Sequence, residues 1–136
     1  MQNIRKILLF LLIIPIVAII GYYALIFLLG GPALPNFFEI RNNDAGIHEV
    51  TVEILNSRNS SMFKESYKLY PDESVSEAKP FSLLYSIGTK NYTFKITLDN
   101  GVEEETIPVS LHRWSTPIIV IDRDNEAPIM IMIDMV

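Results

Sequence analysis

Residues 92–101 read YTFKITLDNG, Tyr92 to Gly101. Tyr92, Phe94, Ile96 and Leu98 alternate with Thr93, Lys95, Thr97 and Asp99. A period of two in aromatic and β-branched residues is the pattern of a strand with one buried face. Asp99-Asn100-Gly101 follows at once. Asn-Gly takes up two positive φ angles at low cost, so the chain should turn back there into a strand beginning at Val102.

The same period recurs on either side. His48, Val50, Val52 and Ile54 alternate with Glu49, Thr51, Glu53 and Leu55. Phe63, Glu65, Tyr67 and Leu69 alternate with Lys64, Ser66 and Lys68. Turn residues cluster between these runs, at Asn42 to Gly46, at Asn56 to Ser61 and at Pro71 to Ser74. Strands are expected near 37–41, 47–55, 62–69, 79–85, 91–99, 102–110, 117–122 and 128–135. Seven or eight short strands at ~8–12-residue spacing predict a mostly β fold, a β-sandwich.

Upstream of residue 37 the pattern is different. Ile7 to Leu29 reads ILLFLLIIPIVAIIGYYALIFLL, and no charged residue occurs from Ile7 to Phe38. At ~1.5 Å per residue a helix of this length spans roughly 35 Å, enough to cross a ~30 Å hydrocarbon core with some tilt. A helix is also the form in which such a segment satisfies its own backbone in lipid. Pro15 predicts a kink. Arg5, Lys6 and the N-terminal amine lie on one side of the run, and no basic residue follows it until Arg41. That asymmetry predicts a cytoplasmic N-terminus and an extracytoplasmic C-terminal part, hence a single-pass protein of the cell membrane. The expected organisation is a cytoplasmic tail (1–6), a transmembrane helix (7–29), a linker (30–36) and an extracytoplasmic sandwich (37–136). A cleaved signal peptide is the competing reading. Its apolar region would be ~7–15 residues, and the small-residue exit Gly31-Pro32-Ala33 is interrupted by proline, so a retained signal anchor is expected.

All 16 acidic residues lie at or beyond Glu39, against nine basic ones, so the outer part carries a net charge of −7. An acidic domain repels phosphate backbones, and nucleic acid is excluded as a partner on that ground. The chain has no cysteine. Disulfides, thiolate metal sites and a cysteine nucleophile are thereby removed, and the domain must be held by its core.

The order of these pieces carries a resemblance. An Asn-Asn-Asp turn (Asn42 to Asp44) precedes the strand His48-x-Val50-x-Val52-x-Ile54. Then come the turn Leu69-x-Pro71-x-Glu73-Ser74, the strand Tyr92-x-Phe94-x-Ile96 and the hairpin Asp99 to Gly101. Across roughly residues 37–110 this resembles the small immunoglobulin-like, CARDB-style domains of exported archaeal membrane proteins. The resemblance implies a fold and a surface location and carries over no catalytic residue. Many such proteins are anchored through a lipobox cysteine. With none here, the helix must serve as the anchor.

Candidate site residues are few. His48 and His112 are the only histidines, and Met130, Met132 and Met135 invite comparison with a copper site, but blue-copper geometry needs a cysteine thiolate. His48 is therefore expected as a partly buried histidine and His112 as a loop residue. Glu103, Glu104 and Glu105 are consecutive in a strand, so they point to alternate faces and cannot converge on one cation. Asp122, Asp124 and Glu126 are spaced like alternate calcium ligands, but the glycine and distal glutamate of a calcium loop are missing. Nothing resembles a nucleophile elbow. No metal, cofactor or catalytic residue is expected. Asn59-Ser60-Ser61 and Asn91-Tyr92-Thr93 match the glycosylation acceptor pattern and are consistent with export.

The expected function is a non-enzymatic interaction or structural module at the cell surface, bound to the bilayer through residues 7–29 and to a protein partner. The candidate interaction surface comprises Arg113, Trp114, Met130 and Met132. One alternative is an accessory subunit of a membrane complex, with Gly21, Tyr22 and Tyr23 packing against other helices. Another is a metal- or carbohydrate-binding receptor. The segment Ile129 to Val136 is apolar at both parities. It is expected to lie centrally in a sheet or under a cover, with Ile131 and Ile133 directed into the sandwich and Met130 and Met132 on the opposite face.

Overall fold

A computed structural model describes residues 1–135. Val136, counted in the outer domain on sequence grounds, lies outside the described residues. The chain forms two units, residues 1–32 and residues 33–135 of the described chain.

The first unit is helix α1, Gln2–Leu29. It begins five residues before the apolar run, so most of the expected tail is helical. From Asn3 to Leu29 it is long and apolar enough to cross a membrane. Pro15 lies inside it. Its end is closed by the Gly30 amide, which donates to the Ile26 carbonyl at 2.9 Å.

The second unit is a β-sandwich. Its elements are β1 (Asn36–Asn42), β2 (His48–Leu55), β3 (Ser61–Leu69), β4 (Ser74–Ala78), a one-turn helix α2 (Phe81–Leu84), β5 (Lys90–Leu98), β6 (Glu103–Leu111), β7 (Ser115–Ile121) and β8 (Ile129–Met135). One sheet has the order β4-β1-β7-β8 and the other β3-β2-β5-β6. All pairings are antiparallel except β1 with β7, which is parallel.

The alternating residues meet between the sheets. Val50, Val52 and Ile54 of β2 and Phe94, Ile96 and Leu98 of β5 are fully buried, as are Phe38, Ile40, Ile119 and Ile121 from the facing sheet. Phe37 and Phe38 are neighbours in sequence, yet both are in the core. A bulge explains this: β1 pairs with β4 at Asn36↔Ala78 and then at Phe38↔Glu77, which leaves Phe37 as the extra residue. Phe38 stands edge-on to Phe63, Tyr67 and Phe94 with ring centroids 5.5–6.4 Å apart. Prolines sit where no ladder bond is lost. Pro108 is in β6, at a sheet edge, and Pro117 precedes the β1–β7 pairing, which starts at Ile118.

Three expectations need correction. The strand expected at 79–85 is absent; α2 occupies that stretch, and the strand is β4, at Ser74–Ala78. Pro80 donates no backbone bond to a sheet and opens the turn instead, its carbonyl accepting from the Leu83 and Leu84 amides. The Asp99–Gly101 turn is longer than a two-residue hairpin. Asp99, Asn100 and Gly101 all have positive φ, and β6 starts at Glu103, opposite Leu98, not at Val102. Finally, the C-terminal strand is not central. β8 is an edge strand, and burial falls along it from Ile129 through Ile131 to Ile133, which is 44% exposed. Ile131 packs against the core as expected, and Ile133 does not.

Candidate functional site

Because successive strands run in opposite directions, the connections fall alternately at two ends of the sandwich. The connections at the two ends have opposite charge. The β1–β2, β3–β4, β5–β6 and β7–β8 connections hold Asp44, Asp72, Glu73, Asp99, Asp122, Asp124 and Glu126, with Arg123 the sole base. The β2–β3, β4–β5 and β6–β7 connections hold Arg58, Lys79 and Arg113 and no acidic residue.

At the acidic end His48 is 4% exposed. Its Nε2 lies 2.6 Å from Asp44 Oδ2 and its Nδ1 lies 2.8 Å from Asp99 Oδ2. With both ring nitrogens facing carboxylates, the imidazolium donates to each. Burial pushes its pKa down, but the hydrogen bonds and charges of Asp99 and Asp44 outweigh this and hold it above the ordinary 6.5. Asp44 lies below the ordinary 3.8, chiefly through its bond from His48. Burial pushes Asp99 up, but the Glu49 amide, His48 and Arg123 bring it below the same value. Arg123 Nη2 reaches Asp99 Oδ2 at 3.0 Å. Beside this group the fully buried Asn42 amide donates to the carbonyls of Gly46, Leu69 and Tyr70. The assembly ties three connections together. With both ring nitrogens held by carboxylates from different connections, the arrangement is a clasp.

At the basic end the Lys79 ammonium is buried and donates to the carbonyls of Ser115, Arg113 and His112 at 2.8, 3.1 and 3.5 Å. Burial and then the Arg113 charge push its pKa down to about 8. Arg113 is also buried, its guanidinium 5.1 Å over the Trp114 ring. The Trp114 amide donates to His112 Nδ1 at 3.1 Å. Arg113 therefore serves the corner between β6 and β7 more than an open surface. On α2, Phe81 and Tyr85 are 77% and 65% exposed and stack with ring centroids 6.0 Å apart.

Met130 and Met132 are far from that corner in sequence and lie on the other face of β8 from Ile129 and Ile131. Met130 is half-buried and Met132 is 52% exposed. They pair with Val120 and Ile118 of β7, so this outer face is an apolar strip, bordered by the Arg41–Glu39 ion pair.

The four sheet edges differ in how they are guarded. β3 carries Lys64, Glu65 and Lys68; β6 carries Glu103, Glu104, Glu105 and Pro108; β4 is only five residues long. Charges, proline and shortness are the devices that keep edges from pairing with foreign strands. β8, IMIMIDM, has none of these except Asp134. Its outward row of backbone groups has no strand partner among the described residues.

Among the described residues no group of three His, Cys, Asp or Glu side chains is placed to hold a metal ion. Glu103 turns toward Arg123, and Glu104 lies with Lys64 and Lys95 in a polar depression on the sheet's outer face. Asp122 accepts from the Asp124 amide and the Asn125 side chain, as in an ordinary Asx turn. Asn59 and Asn91 are both exposed.

No family model matches the chain, and no curated protein matches it. The clasp was not foreseen from the sequence. Asp44 and His48 are four residues apart and flank a glycine, which is a usable local signal, but Asp99 lies 51 residues further on.

Proposed function

We propose that the chain is a membrane-anchored, extracytoplasmic, non-enzymatic interaction module that binds a partner protein along β8. The observation that carries this reading is the contrast between β8 and the three guarded edges. Met132, Ile133 and Met135 are exposed beside a free row of backbone donors and acceptors. A partner strand added there would gain ladder bonds for affinity and side-chain contacts on both faces for specificity. The surface location agrees with the immunoglobulin-like adhesion modules that the strand and turn order resembles. The anchor reading is supported by the length and apolarity of α1, and the orientation by Arg5 and Lys6 preceding it.

Two measurements test this. A tag inserted beside Asn125, in the exposed β7–β8 connection, should be reached by antibody on intact cells. Protection until lysis would reverse the orientation. For the edge, a photo-crosslinker at Met132 in the full chain in native membranes should capture a protein partner. Met132→Lys should weaken that association at least about tenfold, equivalent to ~1.4 kcal/mol, and leave the sandwich folded. Unchanged capture by the variant would remove β8 as the binding edge. Retention of the partner through detergent extraction and purification would assign the chain as a subunit of a stable membrane complex.

A further inference from the structure

We propose that the basic end of the sandwich is a membrane-docking surface, and that its occupant is the headgroup region of the bilayer. The inference rests on the reading of α1 as a membrane anchor and adds a second, reversible contact to it.

Chain length supplies the first argument. Gly30, Gly31 and Pro32 alone separate α1 from the sandwich unit. Four residue steps reach about 14 Å at most, so Ala33 stays within that distance of the helix end. Ala33 and Pro35 line the apolar groove that Phe81, Leu84 and Tyr85 also line. The groove is knit to the first residues of the unit, with the Leu34 amide donating to the Arg113 carbonyl and the Lys79 amide to the Pro35 carbonyl. The headgroup layer is itself ~6 Å deep on each side of the hydrocarbon, so a tether of this length leaves this end of the domain within reach of it.

The chemistry of the patch supplies the second argument. Phe81 and Tyr85 are one helical turn apart, so they share a face, and α2 turns Leu83 into the core while presenting both rings outward. Aromatic rings with a polar tip or edge favour the membrane–water boundary over either phase. An exposed aromatic pair beside an apolar groove is costly in water and is satisfied by shallow insertion. Charge supplies the third. This end has no acidic residue in its connections, and the exposed Arg58 lies in one of them; Lys90 stands at the rim, its ammonium on the Ser82 carbonyl. The opposite end concentrates acidic residues. Lys79 and Arg113 of this end are buried and Asp134 of β8 stands beside it, so the polarity acts chiefly by keeping the acidic end away from anionic lipid.

The test uses the full chain, in vesicles of phosphatidylcholine with a minor fraction of phosphatidylglycerol. The chain has no cysteine, so one introduced cysteine takes one nitroxide. Labels are placed by Ile19→Cys in α1, by Ser82→Cys on α2 and by Asp124→Cys at the acidic end. Accessibility is read to oxygen, which concentrates in lipid, and to a water-soluble nickel chelate. The expected result is hydrocarbon values at 19, interfacial values at 82 and aqueous values at 124. Phe81→Glu with Tyr85→Glu should return the label at 82 to aqueous values, with the chain shown to be folded by its unchanged far-ultraviolet circular dichroism. Aqueous values at 82 with hydrocarbon values at 19 would overturn docking and leave the anchor standing. Aqueous values at 19 would overturn both. Shielding at 82 that appears only at high protein-to-lipid ratio would assign the surface to a second copy of the chain and overturn the lipid as occupant.

Discussion

Replacing Phe38 with alanine should destabilise the sandwich by about 3–5 kcal/mol, the range for deleting a buried aromatic ring from a packed core. Phe38 has no exposed surface, and its ring is the point where Phe63 and Tyr67 of β3, Phe94 of β5 and the adjoining Phe37 converge. Relaxation into the cavity is restricted from both sides. β1 is hydrogen-bonded to β4 and to β7, and the bulge at Phe37 fixes where Phe38 enters. A domain of this size has a total stability of roughly 5–15 kcal/mol, and without disulfides nothing covalent supplements it. The loss is therefore a large fraction of the whole. Urea unfolding of the full chain in detergent, followed by the emission of Trp114, reports on the sandwich alone because the helix contains no tryptophan. A midpoint shift equivalent to less than ~1.5 kcal/mol, the level of a tolerated apolar swap, would show that Phe38 is not the packing hub.

His48→Ala should cost about 1.5–3 kcal/mol, as expected for losing hydrogen bonds to a charged group. The size of the loss should depend on pH, with a sign that the clasp determines. The folded state holds the His48 proton above the ordinary 6.5, so this contribution is complete below pH 6.5 and disappears as pH rises through the raised value. The folded state holds Asp44 and Asp99 below the ordinary 3.8, so their contribution is complete above that value and disappears as pH falls through the lowered ones. Both contributions coexist between 3.8 and 6.5. The difference between wild type and His48→Ala should therefore be greatest in that window and shrink on either side. A difference that grows steadily from pH 6 to pH 9 would show that His48 is held neutral.

The parts of this architecture that were readable from the sequence are those dictated by short-range patterns. Alternation in Tyr92–Leu98 and His48–Ile54 marked the two central strands of one sheet, and unbroken apolarity marked α1. What was missed depends on distant partners. Ser74–Ala78 has little apolar content, and becomes a strand by pairing with β1. Phe81–Tyr85 looked apolar enough for a strand, but Pro80 and the exposure of both rings make it a helical turn at the surface. Ile129–Met135, apolar at both parities, read as central or covered. That pattern reports only that both faces are apolar, and cannot distinguish burial within the chain from an uncovered edge. At the clasp, the spacing of Asp44 and His48 is a local signal that went unread, and the half supplied by Asp99 across the β5–β6 turn has no local signal.

The placement of β1 has a mechanical consequence. The strand that leaves the linker does not lie at the rim of its sheet; it is third from the β8 edge and runs parallel to β7, in register from Glu39↔Ile118 to Asn42↔Ile121. Tension between a membrane tether and a load held on β8 would pass along β1, across to β7 and across again to β8. Where the load pulls along the strand axis, each crossing would bear that tension as shear, with many hydrogen bonds strained together. β4 and the whole facing sheet lie off this load path, so the domain could transmit force along three strands while the rest of it remained slack.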